Sequence, residues 1–292
     1  MIRFFDGGMG SMLNLAAGEL PEKLNISEPE RVFAVHKGYA DAGAEFITAN
    51  TFGANSLKYD NVDELVKAGV ALAKKAGKYV ALDIGPTGKL LKPMGDLEFE
   101  RAVELFAEVV RAGKDGSDVA IIETMSDMYE LKAAVIAVKE NSDLPIITSM
   151  IFDESGRLLT GGDVKSAVAM LEGLRVDAIG FNCGLGPKQM IPLVKELREC
   201  TSLPILVMPN AGLPESVDGK TVYNVSPDEF AQDMREIAKL GVSILGGCCG
   251  TTPKHIAKMI ELCKDIPDNV PEKKNDTVVC SYSSAVTTVS YT

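Results

Sequence analysis

Eight short apolar runs, each followed by a segment with helix signals, constrain this chain more than any other feature. The runs fall at residues 3–5, 45–49, 79–82, 119–122, 145–150, 177–181, 205–208 and 242–245. They are rich in Ile, Val and Phe and are apolar at consecutive positions, the pattern of strands covered on both faces of a parallel sheet; a half-exposed strand would alternate. Between them, Ser226, Pro227 and Glu229 read as an N-cap, a first-turn proline and a capping-box partner, and Ser27 with Glu30 repeats that box. Gly43, Gly77 and Gly241 fall just before the next run, where a helix end needs a left-handed residue. Eight such units within about 260 residues, with no sequence left for a second domain, predict an α/β fold closed into a (β/α)8 TIM barrel in place of an open doubly wound sheet.

A chain of 292 residues with 46% hydrophobic content can bury the single large core that such a barrel requires. Its 41 acidic against 30 basic residues give a net charge of −11, which opposes binding to nucleic-acid phosphates, and the longest basic runs, Lys74-Lys75 and Lys273-Lys274, hold two residues each. No apolar stretch approaches the roughly 18 residues of a membrane span, and the first ten residues lack the features of a secretion signal. The expected location is therefore cytoplasmic, without membrane or nucleic-acid partners. After Cys263 the composition turns to Pro, Asp, Asn and Lys, followed by a β-prone stretch from Thr277. The expected organisation is a barrel over residues 1–265 and a linker and C-terminal tail over 266–292. The tail would either pair with a barrel edge or a partner, or be an unfixed terminus.

In a parallel barrel the chemistry sits beyond the carboxyl ends of the strands, so the residues directly after each run are the candidates. They include Asp6-Gly7-Gly8, Asn50-Thr51, Asp83, Glu123, Asn182-Cys183, Asn210 and Gly247-Cys248-Cys249. Six cysteines in a reducing compartment suit metal ligation or ordinary burial better than disulfides. Cys183, Cys248 and Cys249 share one rim, whereas Cys200 and Cys263 fall at helix ends and Cys280 in the tail. Any one of the three alone would read as a small residue at a crowded strand end. Together they read as a metal site, with zinc as the metal and three protein ligands leaving one position open. His255 is expected to cap or pack the last helix, and His36 to have a partly exposed structural role on the first. Three thiolates lower the metal's effective charge and make it a poor activator of water, but a good holder of a fourth thiol as thiolate near pH 7. Thiol alkylation is the reaction that follows.

The elements Asp6-Gly7-Gly8-Met9-Gly10-Ser11, Thr48 to Asn55, Gly85-Pro86-Thr87-Gly88, Gly180-Phe181-Asn182-Cys183, Pro209 to Pro214 and Gly246 to Thr252 occur in that order. In this the chain resembles the homocysteine S-methyltransferase family, most closely the homocysteine-binding domain of cobalamin-dependent methionine synthases, over about residues 1–265. The resemblance implies a β/α barrel, zinc at Cys183, Cys248 and Cys249, and homocysteine as methyl acceptor in methionine biosynthesis. Methionine synthases carry folate- and cobalamin-binding modules after this domain, and this sequence stops at Thr292. A methylcorrinoid (methylcobalamin or a relative) carried on a separate corrinoid protein or module is therefore the expected donor. The alternatives are a directly used S-methylmethionine- or betaine-type donor, or a non-catalytic zinc- or thiol-binding docking subunit.

On this reading the homocysteine sulfur takes the open metal position, loses its proton and attacks a methyl group presented at the barrel mouth. Asp6 and Glu123 are expected to hold the substrate ammonium, which the resemblance supports. The backbone N–H groups of Gly7 and Gly8, within the stretch to Gly10, would receive its carboxylate. Asn50 and Thr51 either contact substrate or shape their turn, and Asn182 either orients the metal shell or bonds within its own loop. Asp83 receives no role.

Overall fold

The computed structural model describes residues 1–15, 18–217 and 220–288. Its strands are β1 (Arg3–Phe4), β2 (Phe46–Thr48), β3 (Tyr79–Ile84), β4 (Val119–Met125), β5 (Ile146–Met150), β6 (Ala178–Asn182), β7 (Ile205–Met208), β8 (Glu215–Val217), β9 (Lys220–Val222), β10 (Ile244–Leu245), β11 (Thr277–Cys280) and β12 (Ala285–Thr288). The eight expected runs become β1 to β7 and β10, which pair in the parallel order β1-β10-β7-β6-β5-β4-β3-β2. A parallel bridge between Phe5 and Phe46 brings the two ends together. Glu45 N–H donates to Phe4 O at 2.8 Å and Asp6 N–H to Phe46 O at 3.2 Å across this seam. The Phe5 and Phe46 rings stack there, with centroids 4.8 Å apart. The chain is a TIM barrel, as its apolar runs predict.

Side chains at every second strand position fill the interior, among them Phe5, Ala81, Val119, Ile121, Ile147 and Leu206. The barrel's waist is tight: a Cβ on Gly180 of β6 would stand 1.9 Å from Leu206 O on β7. The outer core lies between strands and helices. The helices are α1 (Met9–Leu13), α2 (Leu24–Ser27), α3 (Pro29–Asp41), α4 (Val62–Lys75), α5 (Phe99–Gly113), α6 (Met128–Asn141), α7 (Val164–Gly173), α8 (Pro187–Cys200), α9 (Pro227–Lys239) and α10 (Pro253–Cys263). On α5 the apolar positions Ala102, Leu105, Phe106, Val109 and Val110 recur at helical spacing and are buried, while Arg101, Glu104 and Arg111 face outward. Each such large side chain contributes about 2 kcal/mol of burial against the strands.

Ser226 caps α9 by accepting from Glu229 N–H, and His255 closes a capping box with Thr252 on α10, both as expected. The Ser27 box does not form: Ser27 ends α2, its hydroxyl donates to Lys23 O, and Glu28 occupies the N-cap of α3 without a side-chain cap bond. His36 also departs from expectation, since it is fully buried, with neither ring nitrogen hydrogen-bonded. The tail pairs with itself. β11 and β12 form an antiparallel hairpin against α7. Tyr282 of its turn donates to Asp127 Oδ2 at 3.1 Å, and Arg157 donates to Ser283 O at 3.1 Å. The last four residues of the expected tail lie outside the described residues. Among the described residues no helix is long and apolar enough to cross a membrane.

Candidate active site

Strand alternation decides which groups reach the barrel mouth. Ala81 and Ile121 point inward, and Asp83 stands opposite Ile121 in the β3–β4 register, so Asp83 and, two residues beyond Ile121, Glu123 also face the axis. Ala178 points inward on β6, and so does Asn182 four residues on. The pocket that results, about 240 Å³, is lined by Asp6, Asp83 and Glu123 together with Cys183, Cys248 and Cys249.

The three sulfurs lie within 4.8 Å of one another, with Cys183 Sγ and Cys249 Sγ 3.9 Å apart. Two sulfurs sharing a tetrahedral zinc at about 2.3 Å stand about 3.8 Å apart, which the Cys183–Cys249 pair matches and which the whole trio approaches within about an ångström. Among the described residues no His, Asp or Glu joins the three. Backbone geometry aims the sulfurs. Cys183 adopts φ 56° and Gly184 φ 68°, a left-handed pair that turns the chain sharply at the end of β6. For a residue with a Cβ this costs on the order of 1 kcal/mol, and surrounding bonds must hold it. Cys183 N–H donates to Met208 O at 3.2 Å, and Asn210 N–H to Leu185 O at 3.0 Å. The Asn210 carboxamide oxygen then accepts from Cys249 N–H at 3.1 Å, joining the β7 loop to the cysteine pair. Gly8 is needed for close approach, since a Cβ there would stand 2.6 Å from Cys248 O.

The trio is electrostatically uneven. Hydrogen bonds from the Cys183 and Cys248 thiols favour the thiolate at Cys249, with help from Tyr223. Cys248 is pushed up by its bonds to Cys183 and Cys249 and by burial. The carboxyls of Asp6, Glu123 and Asp83 are all shifted upward. Burial raises Asp6 to about 7 although Thr48 donates to it. Burial, then Cys183 and Asp6, raise Glu123 to about 8. Burial, then Glu123, Asp6 and Glu22, raise Asp83 well above the carboxylate range. Among the described residues that line the pocket, none is Lys, Arg or His. Such a site receives a cation or a neutral group readily and repels a bare anion.

The family model for homocysteine S-methyltransferase matches residues 3–263. The chain belongs to that family. Methionine synthases of Mycobacterium leprae (strain TN) and Mycobacterium tuberculosis (strain ATCC 25618 / H37Rv) are each 32% identical to it, over 89% and 87% of this chain. The chain spans about a quarter of their length, 24% in each case. The homocysteine methyltransferase MmuM from Escherichia coli, in its metallated form, shares the fold with a TM-score of 0.74 and 23% identity, over 88% of this chain and 95% of that one.

Within this homocysteine S-methyltransferase barrel the expected site residues divide by position. Asp6, Gly7, Gly8, Asn50, Glu123 and the three cysteines line the pocket. Thr51 does not; its hydroxyl donates to Asp83 O at 2.8 Å and shapes the β2 loop. The Asn50 carboxamide donates to Pro21 O and to Asn25 Oδ1, both at 2.8 Å, and so is committed to holding the loop that bears Pro21. Gly8 N–H, one donor of the expected carboxylate nest, already donates to Thr251 Oγ1 at 3.1 Å. Asn182 bonds to several neighbours: it accepts from Thr124 N–H at 2.8 Å and Ser149 Oγ at 2.7 Å, and its amide faces Cys248 Sγ at 3.8 Å. Residue order alone misses the roles of Thr48, Glu22 and Tyr223, and gives Asn210 a place on the rim but no role. Thr48 donates to both oxygens of Asp6. Glu22 lines the pocket and accepts from Gly53 N–H and Tyr59 OH. Asn210 is visible only as the polar residue after the seventh run, and Tyr223 follows a hairpin that the apolar pattern does not announce.

Proposed function

We propose that this barrel is a zinc-dependent homocysteine S-methyltransferase, forming methionine with a methyl group from a methylcorrinoid carried outside the barrel. The observation that carries the reading is the opening of three convergent thiols and three inward carboxyls into one pocket, on a chain of this family. Cys183, Cys248 and Cys249 would hold the zinc, which would supply one open position for a substrate thiol and favour that thiol's ionised form. The protein's own part is positioning. Glu123 and Asp6 supply the acidic wall for the substrate's ammonium, and the α1 turn from Gly7 faces the same space. Asn182 and Asn210 fix the loops that carry the cysteines. Holding the sulfur toward the mouth, where a methyl group can be presented in line, contributes several kcal/mol by orientation alone. The resemblance to the homocysteine-binding domain of cobalamin-dependent methionine synthases supports a corrinoid donor over a sulfonium or betaine, and among the described residues that line the pocket Phe52 is the one aromatic, too little for a cation cage.

The decisive measurement combines zinc stoichiometry with methionine formation from homocysteine, offering methylcobalamin, S-methylmethionine or betaine in turn. One zinc per chain, turnover with methylcobalamin alone, and loss of both in Cys248→Ala are expected. Turnover with S-methylmethionine or betaine instead would replace the corrinoid donor, and absence of both zinc and homocysteine binding would overturn the reading altogether.

A further inference from the structure

A second cavity, about 670 Å³, lies beside the catalytic pocket at the ends of the strands. It is built by the loops after β4, β5 and β6, three neighbours in the barrel's strand order. Thr124 lines both cavities, and Gly184, directly after Cys183, lines the second, so the two adjoin next to the metal-site cysteine. Local backbone opens this groove. Thr124 takes φ 60° where the β4–β5 register shifts between Ile122 and Met125, and Glu123 and Thr124, neighbours in sequence, both reach the catalytic pocket. A Cβ on Gly184 would stand 2.9 Å from Ile151 Cγ1, so the missing side chain lets the β5 and β6 loops close into one floor. That floor is apolar. Ile151, Phe152, Leu185 and Leu159 line it, and Leu159, 74% exposed, is after Met1 the most exposed large apolar side chain among the described residues. Two of the groove's three charged residues are answered within the fold. Asp153 Oδ1 accepts from Ser155 N–H and Arg157 N–H, and the Arg157 guanidinium donates to Gly161 O and Ser283 O.

Uncovered apolar surface beside a reaction pocket suits a neutral, largely apolar ligand. The catalytic pocket, about 240 Å³, has room for an amino acid but not for a corrin macrocycle, which is several times larger, so the body of such a donor lies outside it. Resting on the functional reading above, we propose that the groove seats the edge of the donor's macrocycle, with its methyl groups and uncharged amides. The donor then approaches the sulfur across Thr124 and Gly184, from the side of β4 to β6 and not along the barrel axis. S-methylmethionine and betaine, small enough for the pocket itself, would leave the groove unused.

The test is equilibrium dialysis of methylcobalamin against the zinc-loaded full chain without homocysteine, read from the cobalamin absorbance. Leu159→Asp places a carboxylate in the groove at a side chain outside the core, and should weaken methylcobalamin binding roughly tenfold. Homocysteine affinity by calorimetry, zinc content and the unfolding midpoint should stay as in wild type. Leu57→Asp is the control, since Leu57 is 44% exposed on the loop after β2, across the ring from β6 in strand order. It should leave methylcobalamin binding within about twofold. No loss in Leu159→Asp, or equal losses in the two variants, would overturn the groove while leaving the methyltransferase reading intact. A wild-type chain that binds zinc and homocysteine but no methylcobalamin would overturn the groove and the corrinoid donor together.

Discussion

At the scale of single residues, Asn182 shows how one side chain holds a site together. It is fully buried and ties Thr124 on β4, Ser149 on β5 and the Cys248 sulfur to the end of β6. Asn182→Ala would leave Thr124 N–H and Ser149 O–H unpaired in the core, a loss of about 2–4 kcal/mol. It should also weaken zinc affinity roughly tenfold to a hundredfold, as loss of a group that orients metal ligands does. Denaturant titration of the metal-free protein and a competitive chelator titration separate the two effects; a variant with unchanged zinc affinity would confine Asn182 to the fold. The three cysteines are legible in sequence because each falls within four residues after an apolar run. Asp83 is equally well placed, but that its buried Oδ1 has no hydrogen-bond partner is something the sequence does not display. Thr48 and Asp6 lie 42 residues apart, and Glu22 and Tyr59 lie 37 apart, so those pairings exist only after folding.

At the scale of elements, the strands are readable because most of their positions are buried on both sides, fully so in β5, β6, β7 and β10, which leaves an apolar run in each. The hairpin β8–β9 and the tail hairpin β11–β12 escape that logic. They are short and pair with themselves, and their signal is β-propensity with no core face. Ser27 marks the limit of cap reading, since two helices meet there and the preceding one claims its hydroxyl. The barrel's own packing is less forgiving. Gly180→Ala would drive a methyl group into Leu206 O, backbone that cannot step aside without parting β6 from β7. A loss of about 3 kcal/mol or more is expected in denaturant midpoint, with zinc affinity falling because both strands carry site loops. Near-wild-type stability would mean that the two strands separate more easily than their contact implies.

At the scale of the whole molecule, buried groups set how stability responds to pH. Burial lowers His36 from 6.5 to about 4, so the folded protein holds it neutral while the unfolded chain protonates it. Between those two values the unfolded state binds more protons, and stability therefore falls as pH drops from 6.5 toward 4, by on the order of 3 kcal/mol. Asp6, raised to about 7, works in the opposite direction as pH falls from about 7 toward its ordinary range. The contribution of His36 is isolated by subtraction. Against His36→Leu, wild type should lose stability by that amount between pH 7 and pH 4 in urea titrations, and a constant difference would show that His36 does not titrate as its burial dictates.

The seam between β1 and β2 ties that global behaviour to the pocket. β1 has two residues and β2 three, and two backbone hydrogen bonds close the ring there. Asp6 and Thr48, which meet across the same seam, form part of the pocket wall. The joint through which the cylinder would breathe is thus also a wall of the binding chamber. Amide hydrogen exchange should be fast at Asp6 and Thr48 in the empty protein and slow markedly when homocysteine is bound, while amides of β4 and β5 on the far side change little. A ligand in this chamber would then act as a hoop around the barrel, and occupancy could be followed as a lengthening of the time for which the ring stays shut.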